Sequence, residues 1–442
     1  VARHVRRGDE EELNLPAMDT IFAVSSGQPP AAIAILRLSG PGAFDAVRAL
    51  AGDVPAPRRA ALRALRQDGE LLDRALVLIF PGPDSATGED LAELHLHGGR
   101  AVVRAVEAAL ASMPGLRSAE PGEFTRRALA NGRIDLSEAE GLGDLLMAET
   151  EAQRRAAIRS AEGAVRREVE GWASRTLGVA AQIEAMLDHS DEDDVDAEAE
   201  AMPGIRAAAL ALAGEIEAIV AQPPVERLRD GIRVVLAGPP NAGKSTLLNA
   251  MADRTAAIVS PIAGTTRDRI EAPVVRDGIA WLLIDTAGLT ETEDVVERIG
   301  IGLARDAMDE ADIVLWLGDD ASPEHPALIH VKPRSDQAGR GEDGDRLPVS
   351  AATGAGMEQL WQAMRELGED LLPRSDRLAL NRRQRDLAAT AGRALRAAAS
   401  EGDMLLIAEQ LRTALRAFDA ITGRADVEAM LDALFSRFCI GK

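Results

Sequence analysis

The segment from Gly238 to Ser245 reads GPPNAGKS, a match to G-x-x-x-x-G-K-[ST], and it constrains this chain more than any other eight residues. Such a loop belongs between a β-strand and an α-helix. Its glycines let successive backbone N–H groups curl round a phosphate, and the positive end of the following helix adds to the attraction. The flanks supply both elements. Residues 232–237 (IRVVLA) form a short apolar run, and residues 245–251 open a helical pattern. Lys244 is then a compact cation for the β- and γ-phosphates, and the Ser245 hydroxyl is a ligand for Mg²⁺. The expected contacts from this loop are Asn241, Ala242, Gly243, Lys244, Ser245 and Thr246.

Downstream, strands and helices alternate. Residues 280–285, 312–317, 327–331 and 347–350 read as strands, and an amphipathic helix follows with Met357, Leu360, Trp361, Met364, Leu367 and Leu371 on one face. That alternation predicts a mostly parallel sheet with covering helices. Two polar segments inside it fit the switch elements of a GTPase. GTTRD, residues 264–268, offers Thr266 as a second Mg²⁺ ligand, and DTAG brings Asp285, Thr286, Ala287 and Gly288 to the end of a strand. There Asp285 can hold a metal-bound water and the Gly288 N–H can meet a γ-phosphate. Many small GTPases place a glutamine after that glycine to orient the attacking water; this chain has Leu289. Hydrolysis must therefore recruit another group, and Asn241 and Glu297 are the candidates.

Base recognition is less regular. Guanine is usually read by N-K-x-D, whereas residues 331–336 read VKPRSD. Lys332 fits a lysine that covers the base face, with Asp336 displaced by two residues and the asparagine lost. Ser350, Ala351 and Ala352 resemble the loop that backs the base.

The rest of the chain is organised around this unit. Residues 1–17 mix charge blocks without an apolar stretch and read as a disordered extension. Residues 18–132 read as mixed α/β, with strand-like runs at 31–38 and 75–80 and a helix at 101–110. Residues 133–224 are helical in pattern, a Gln-Pro-Pro at 222–224 marks a boundary, residues 225–374 hold the nucleotide-binding unit, and 375–442 are helical again. Eight acidic residues between Asp188 and Glu200, with no Lys or Arg among them, read as a solvated loop. With no apolar run of eighteen residues, a membrane span is not expected. With no export signal and one cysteine, Cys439, the cytoplasm is the expected location. The formal charge of −22 excludes a generally basic surface that coats nucleic acid. Of the 50 basic residues only Lys244, Lys332 and Lys442 are lysine, which marks these three as positions where an arginine would not serve.

Several segments together resemble the MnmE (TrmE) tRNA-modification GTPases. They are DTIFAVSS and AIAILRLSG within 19–40, ELHLHGG at 93–99, PGEFTRRALANGRIDLSE at 121–138, the P-loop, GTTRD, DTAGL, ERIGI, and the terminal FCIGK at 438–442. The resemblance runs from about residue 19 to the end. It implies an N-terminal α/β folate-binding domain that dimerises, a helical domain completed by the C-terminal segment, and an inserted G domain activated by potassium-dependent dimerisation. It implies a homodimer that works with the flavoprotein MnmG, in a heterotetramer or larger complex. That complex adds an aminomethyl or carboxymethylaminomethyl group to the wobble uridine of certain tRNAs. The carbon would come from a folate such as 5-formyltetrahydrofolate or methylenetetrahydrofolate, with FAD entering only through the partner.

Residue by residue, the resemblance puts Arg37, Glu93 and Lys442 on folate-contacting positions and Arg133 where lysine is frequent. Asn241 falls on a potassium-ligating asparagine, and Ser260, Ile262 and Thr265 on the loop whose backbone carbonyls complete that site. Ser260 and Thr265 thereby join the nucleotide-binding set, and Glu297 falls on a glutamate that positions water. Cys439 falls on the motif cysteine, with direct chemistry and packing as equal readings. Two other readings stay open from the residues: a ribosome-assembly or regulatory GTPase without one-carbon chemistry, and an ATPase.

Overall fold

The computed structural model describes residues 19–188, 195–253, 270–286, 305–337, 344–374 and 378–424, with residues 431, 434, 435, 438, 440 and 441. The chain divides into two compact units. One takes the residues up to Gly143 together with those from Thr422 onward, and the other runs from Asp144 to Ile421.

The first unit is built on β1 (Thr20–Val24), β2 (Ile33–Ser39), α1 (Ala43–Ala51), β3 (Ala61–Gln67), β4 (Glu70–Phe80) and β5 (Leu91–His97). It continues through α2 (Arg100–Ala111), β6 (Leu116–Ser118), α3 (Glu123–Ala130) and α4 (Leu136–Met147). The six strands lie in the order β3-β4-β5-β2-β1-β6, antiparallel except for the β1/β6 pair. Alternation builds the core: Leu36, Leu38, Val77, Leu94 and Leu96 point to one face and meet Val47, Val106 and Leu110 of the helices. The expected run at 31–38 falls on β2, and that at 75–80 on the second half of β4. Strands β3 and β5 had no continuous apolar run to announce them, because polar residues interrupt ALRALRQ and LAELHLH, and β1, TIFAV, is only five residues long.

The C-terminal segment closes this unit. Leu431, Phe435 and Phe438 pack with Leu136. Ile440 bridges to Pro121, and the Ser25 hydroxyl donates to the Gly441 carbonyl at 2.7 Å. Gly441 has φ +97°, and a Cβ there would lie 2.1 Å from the Val24 carbonyl oxygen, so only glycine fits.

The second unit contains α5 (Glu151–Ala161), α6 (Ala164–Asp188), α7 (Val195–Val220) and α8 (Val225–Arg229), then β7 (Ile232–Ala237), α9 (Lys244–Asp253), β8 (Ile270–Arg276) and β9 (Ile279–Asp285). It ends with β10 (Ile313–Trp316), β11 (Leu328–Pro333), β12 (Leu347–Val349), α10 (Met357–Leu371), α11 (Arg382–Ser400) and α12 (Met404–Thr422). Helices on both sides of the inserted sheet share one core, in which Trp172, Ile183 and Leu212 meet Leu395, Leu411 and Phe418. The inserted sheet runs β12-β11-β10-β7-β9-β8 and is parallel except at its β8 edge. The mostly parallel sheet read from the sequence is therefore present.

One expectation needs correcting. The acidic stretch 188–200 is not wholly a loop: α6 runs through Asp188 and α7 begins at Val195, so both of its ends are helical. The alternating Ala and Glu of residues 197–200 favour helix more strongly than their charge opposes it. Residues 189–194, and the expected extension 1–17, lie outside the described residues. Among the described residues no helix is long and apolar enough to cross a membrane.

Candidate functional site

Strand β7 is buried on both faces and lies between β10 and β9, so its C-terminal end opens onto the crevice where ligands of parallel sheets bind. The P-loop leaves from that end. Gly238 has φ +146°, and a Cβ on it would press within 3.2 Å of the backbone at Leu317 and Gly318. Asn241 also takes a positive φ, +62°, which turns the chain back toward α9. The loop thus arrives at Lys244, the first residue of that helix.

Lys244 is only 6 % exposed, and its ammonium donates to the carbonyls of Gly238 at 2.9 Å and Pro239 at 3.0 Å. Burial pulls its pKa down while the negative charge of Asp285 pushes it up, with burial prevailing. The cation is therefore held against the inner rim of its own loop.

Asp285 reaches the site from the neighbouring strand. The β7/β9 register pairs Leu236 with Asp285, which places its carboxylate level with the start of the loop. Asp285 is fully buried and accepts a hydrogen bond from the Ser245 hydroxyl at 2.5 Å. Thr286 turns the other way, its hydroxyl donating to the Leu236 carbonyl at 2.8 Å. Ser245 and Asp285 together form a hard-oxygen pair of the kind Mg²⁺ takes, one hydroxyl and one carboxylate.

Beside the loop lies a cavity of about 200 Å³. Gly243, Thr246 and Leu247 form one side, and Ala351 and Ala352 form another. The segment after β11 supplies Pro333, Arg334, Asp336 and Gln337. Asp336 is held by a hydrogen bond with Ser350, which keeps its carboxyl below the usual aspartate range. Ser350 itself is fully buried. The Arg334 guanidinium reaches across and donates to the Asn241 carbonyl at 3.1 Å.

This geometry revises the reading of the base motif. Lys332 lies inside β11, paired with Pro348 of β12, and the cavity wall is made by Arg334. Counted back from Asp336, residues 333–336 (PRSD) stand at the N-K-x-D spacing with no displacement.

The structure gathers Asn241, Ala242, Gly243, Lys244, Ser245, Thr246, Asp285 and Thr286 at one loop, with Asp336, Ser350, Ala351 and Ala352 at the adjoining cavity. Thr266, Ser260, Ile262, Thr265, Ala287, Gly288, Glu297, Cys439 and Lys442 lie outside the described residues.

A second set of expected residues sits in the first unit. Arg37 and Glu93 occupy facing positions on β2 and β5 and form an ion pair at 2.8 Å, with His95 Nε2 3.3 Å from the other carboxylate oxygen. Arg37 also lies over the Phe124 ring, 5.9 Å from its centroid. Arg133 is half exposed, 3.7 Å from Asp84. Gly441 is fastened to Ser25, which follows β1 two positions after Ala23, the residue paired with Arg37.

Comparison with known proteins covers both units. Residues 20–133 match the family model for the GTP-binding protein TrmE N-terminus, and residues 136–439 match that for the MnmE helical domain. The chain is 56 % identical over 428 residues to the tRNA modification GTPase MnmE of Erythrobacter litoralis, covering 96 % of this chain and all of that one. It is likewise 56 % identical over 432 residues to the protein of that name from Rhizorhabdus wittichii, covering 96 % and 97 %. Among solved structures, the G domain of the T. maritima FeoB iron transporter is 26 % identical with a TM-score of 0.24, covering 31 % of this chain and 98 % of its own.

Proposed function

The chain belongs to the MnmE family of tRNA modification GTPases, and on that premise we propose that it hydrolyses GTP to drive modification of the wobble uridine of certain tRNAs. In this reading it works as a homodimer with MnmG, uses a folate one-carbon unit, and depends on potassium. The observation that supports it best is the P-loop with Lys244 buried beside the Ser245–Asp285 pair, on a chain that matches its relatives from end to end.

The chain's own groups divide the work. The backbone N–H groups of residues 241–245 would converge on the phosphate, and the N-terminus of α9 would add its dipole. Lys244 has its ammonium fixed by two carbonyls, so little reorganisation is needed when it meets the β- and γ-phosphates. Ser245 and Asp285, with Thr266, have the oxygen chemistry to hold Mg²⁺ directly or through water. Asn241, with the carbonyls of Ser260, Ile262 and Thr265, would hold K⁺. Mg²⁺ and K⁺ held by these residues would supply positive charge against that developing on the phosphates. Glu297 would orient the attacking water in place of the glutamine that Leu289 replaces.

The first unit suits the folate role. The Glu93 carboxylate can accept from paired N–H groups such as those of a pterin edge, and Arg37 fixes its orientation. Arg133 and Lys442 would supply cationic charge for the carboxylates of the folate tail. Docking of Gly441 beside Ser25 is what brings the C-terminus to this unit. The cytoplasm, where charged tRNA and GTP are available, is the location this function requires.

The test is nucleoside analysis of tRNA from cells lacking the gene. Loss of the modified wobble uridine, restored by the wild-type chain and not by Lys244→Ala, is expected. Unchanged modification in the deletion strain would overturn the proposal.

A further inference from the structure

Helix α8 is only five residues long, too short to be stable alone, so its ties to other elements hold it in place. Toward the inserted sheet, Arg227 Nε donates to Asp312 Oδ1 at 2.6 Å, one residue before β10. The other Asp312 oxygen accepts from the Arg233 N–H at 3.0 Å, and the Asp312 N–H returns to the Arg233 carbonyl at 2.9 Å. Asp312 thus pins α8, β7 and β10 together, and β7 runs unbroken from this end to the P-loop. Toward the helices, the buried Gln153 of α5 donates its amide to the Leu228 and Arg229 carbonyls, each at 3.0 Å. Glu226 accepts from the Arg382 N–H at 2.6 Å, where α11 begins, and the Val225 N–H donates to the Leu380 carbonyl at 3.3 Å. The chain entering the inserted unit is thereby clamped to the chain leaving it. The same place has polar atoms to spare. Glu226 Oε2, Arg233 Nε and, in the first turns of α11, Arg385 Nε are buried without a hydrogen-bond partner. Such atoms cost free energy and leave groups ready to pair in a second arrangement.

We infer that α8 is a coupling joint: the Arg227–Asp312 pair makes it move with the nucleotide-binding sheet, and Gln153 and Glu226 pass that movement to α5 and α11. The inference rests on the proposed use of GTP hydrolysis to drive modification, and adds the route by which the one reaches the other. Strand β7 is bonded along both edges, to β10 and to β9, so a rearrangement at the P-loop displaces it as a body rather than bending it. Asp312 and Arg227 carry that displacement past the end of the strand into α8. Both residues lie at the opposite end of β7 from the P-loop, so losing the pair leaves the nucleotide-binding groups as they are. Without it the sheet still binds and hydrolyses the nucleotide, while α8 stays with the helices.

The experiment compares the full-length wild-type chain with Arg227→Met and Arg227→Lys in three readouts. They are GDP affinity, GTP turnover, and wobble-uridine modification restored to a deletion strain at matched chain levels. Arg227→Met should keep GDP affinity and turnover within about twofold of wild type, because the site is distant. Its restored modification should fall about 10-fold, the size of an ordinary coupling between sites. Arg227→Lys, which keeps a cation for Asp312, should recover part of that loss. Full restoration by Arg227→Met would show that the coupling runs elsewhere. A fall in GDP affinity and turnover as large as the fall in modification would show that the pair merely supports the sheet. Either result overturns the inference. Unchanged modification in the deletion strain itself would remove the reading on which the inference rests, and the inference with it.

Discussion

Lys244 shows what a single side chain contributes that its commoner counterpart cannot. This chain has 47 arginines and three lysines, yet it keeps a lysine at the centre of the P-loop. The ammonium fits between the Gly238 and Pro239 carbonyls at 2.9 and 3.0 Å, a position that a branched, planar guanidinium would overfill. Lys244→Arg keeps the charge and is expected to lose GDP binding by more than about 100-fold, as Lys244→Ala does; equilibrium binding of a fluorescent GDP checks both. This residue was legible in the sequence because eight consecutive positions specify it. Arg334 was not, because its place at the cavity wall depends on where β11 ends and on a contact with a loop 93 positions earlier. Lys332 was singled out both for its rarity and for its place in VKPRSD after the strand at 327–331. Gly441 offers a second test at this scale. Gly441→Ala would drive a Cβ into the Val24 carbonyl and strain φ, so the C-terminal segment should detach from Ser25. The expected readout is increased carboxypeptidase release of the last residues, with GTP binding by the P-loop unaltered.

At the scale of elements, α3 and β6 are held to the first unit by a charge network rather than by apolar burial alone. Arg127 on α3 is 8 % exposed and donates to Asp19, Glu89 and Glu123, at 2.6 to 3.1 Å for the closest approaches. Arg117 on β6 reaches Asp19 and Glu123, each at 2.5 Å. Burial raises the carboxyls of Asp19 and Glu123, but the hydrogen bonds from the two arginines more than offset it and leave both below their ordinary values. Their folded pKa values are depressed, so the stability they contribute is present above about pH 4 and is lost as pH falls further. Arg127→Met takes the cation from Glu89 and leaves Asp19 and Glu123 with Arg117 alone. It should destabilise this unit by about 3 kcal/mol and move its acid unfolding to higher pH, read by circular dichroism during an acid titration. None of this network was visible in the sequence, because its members are spread from Asp19 to Arg127. Elements with a strong period were legible: β7, β9 and α10 fall within a residue or two of where the apolar pattern put them. Strand β3 was missed because ALRALRQ does not alternate cleanly, and its burial comes from pairing with β4 and packing on α1.

For the whole molecule, the formal charge of −22 changes how assembly must be tested. Two such chains repel, and any added salt screens that repulsion and favours association. A rate that rises with KCl alone would therefore show only that charge had been screened. The charge is also unevenly placed: residues 1–120 carry 13 basic and 16 acidic side chains, so 19 of the 22 excess negative charges lie beyond them. Association through the nucleotide-binding units brings together the more acidic part of each chain, where a specifically held cation has the most repulsion to offset. Asn241 is the described residue proposed to hold it, and its backbone is pinned by Arg334, so its side chain is presented from a fixed point. GTP turnover should be compared in KCl and NaCl at matched ionic strength while the protein concentration is raised. Screening is equal in the two salts, so only a specific K⁺ site can separate them. The expected outcome is turnover per chain that climbs with concentration in KCl and stays low and flat in NaCl. Equal turnover in both, independent of concentration, would show that hydrolysis needs neither a second copy nor potassium.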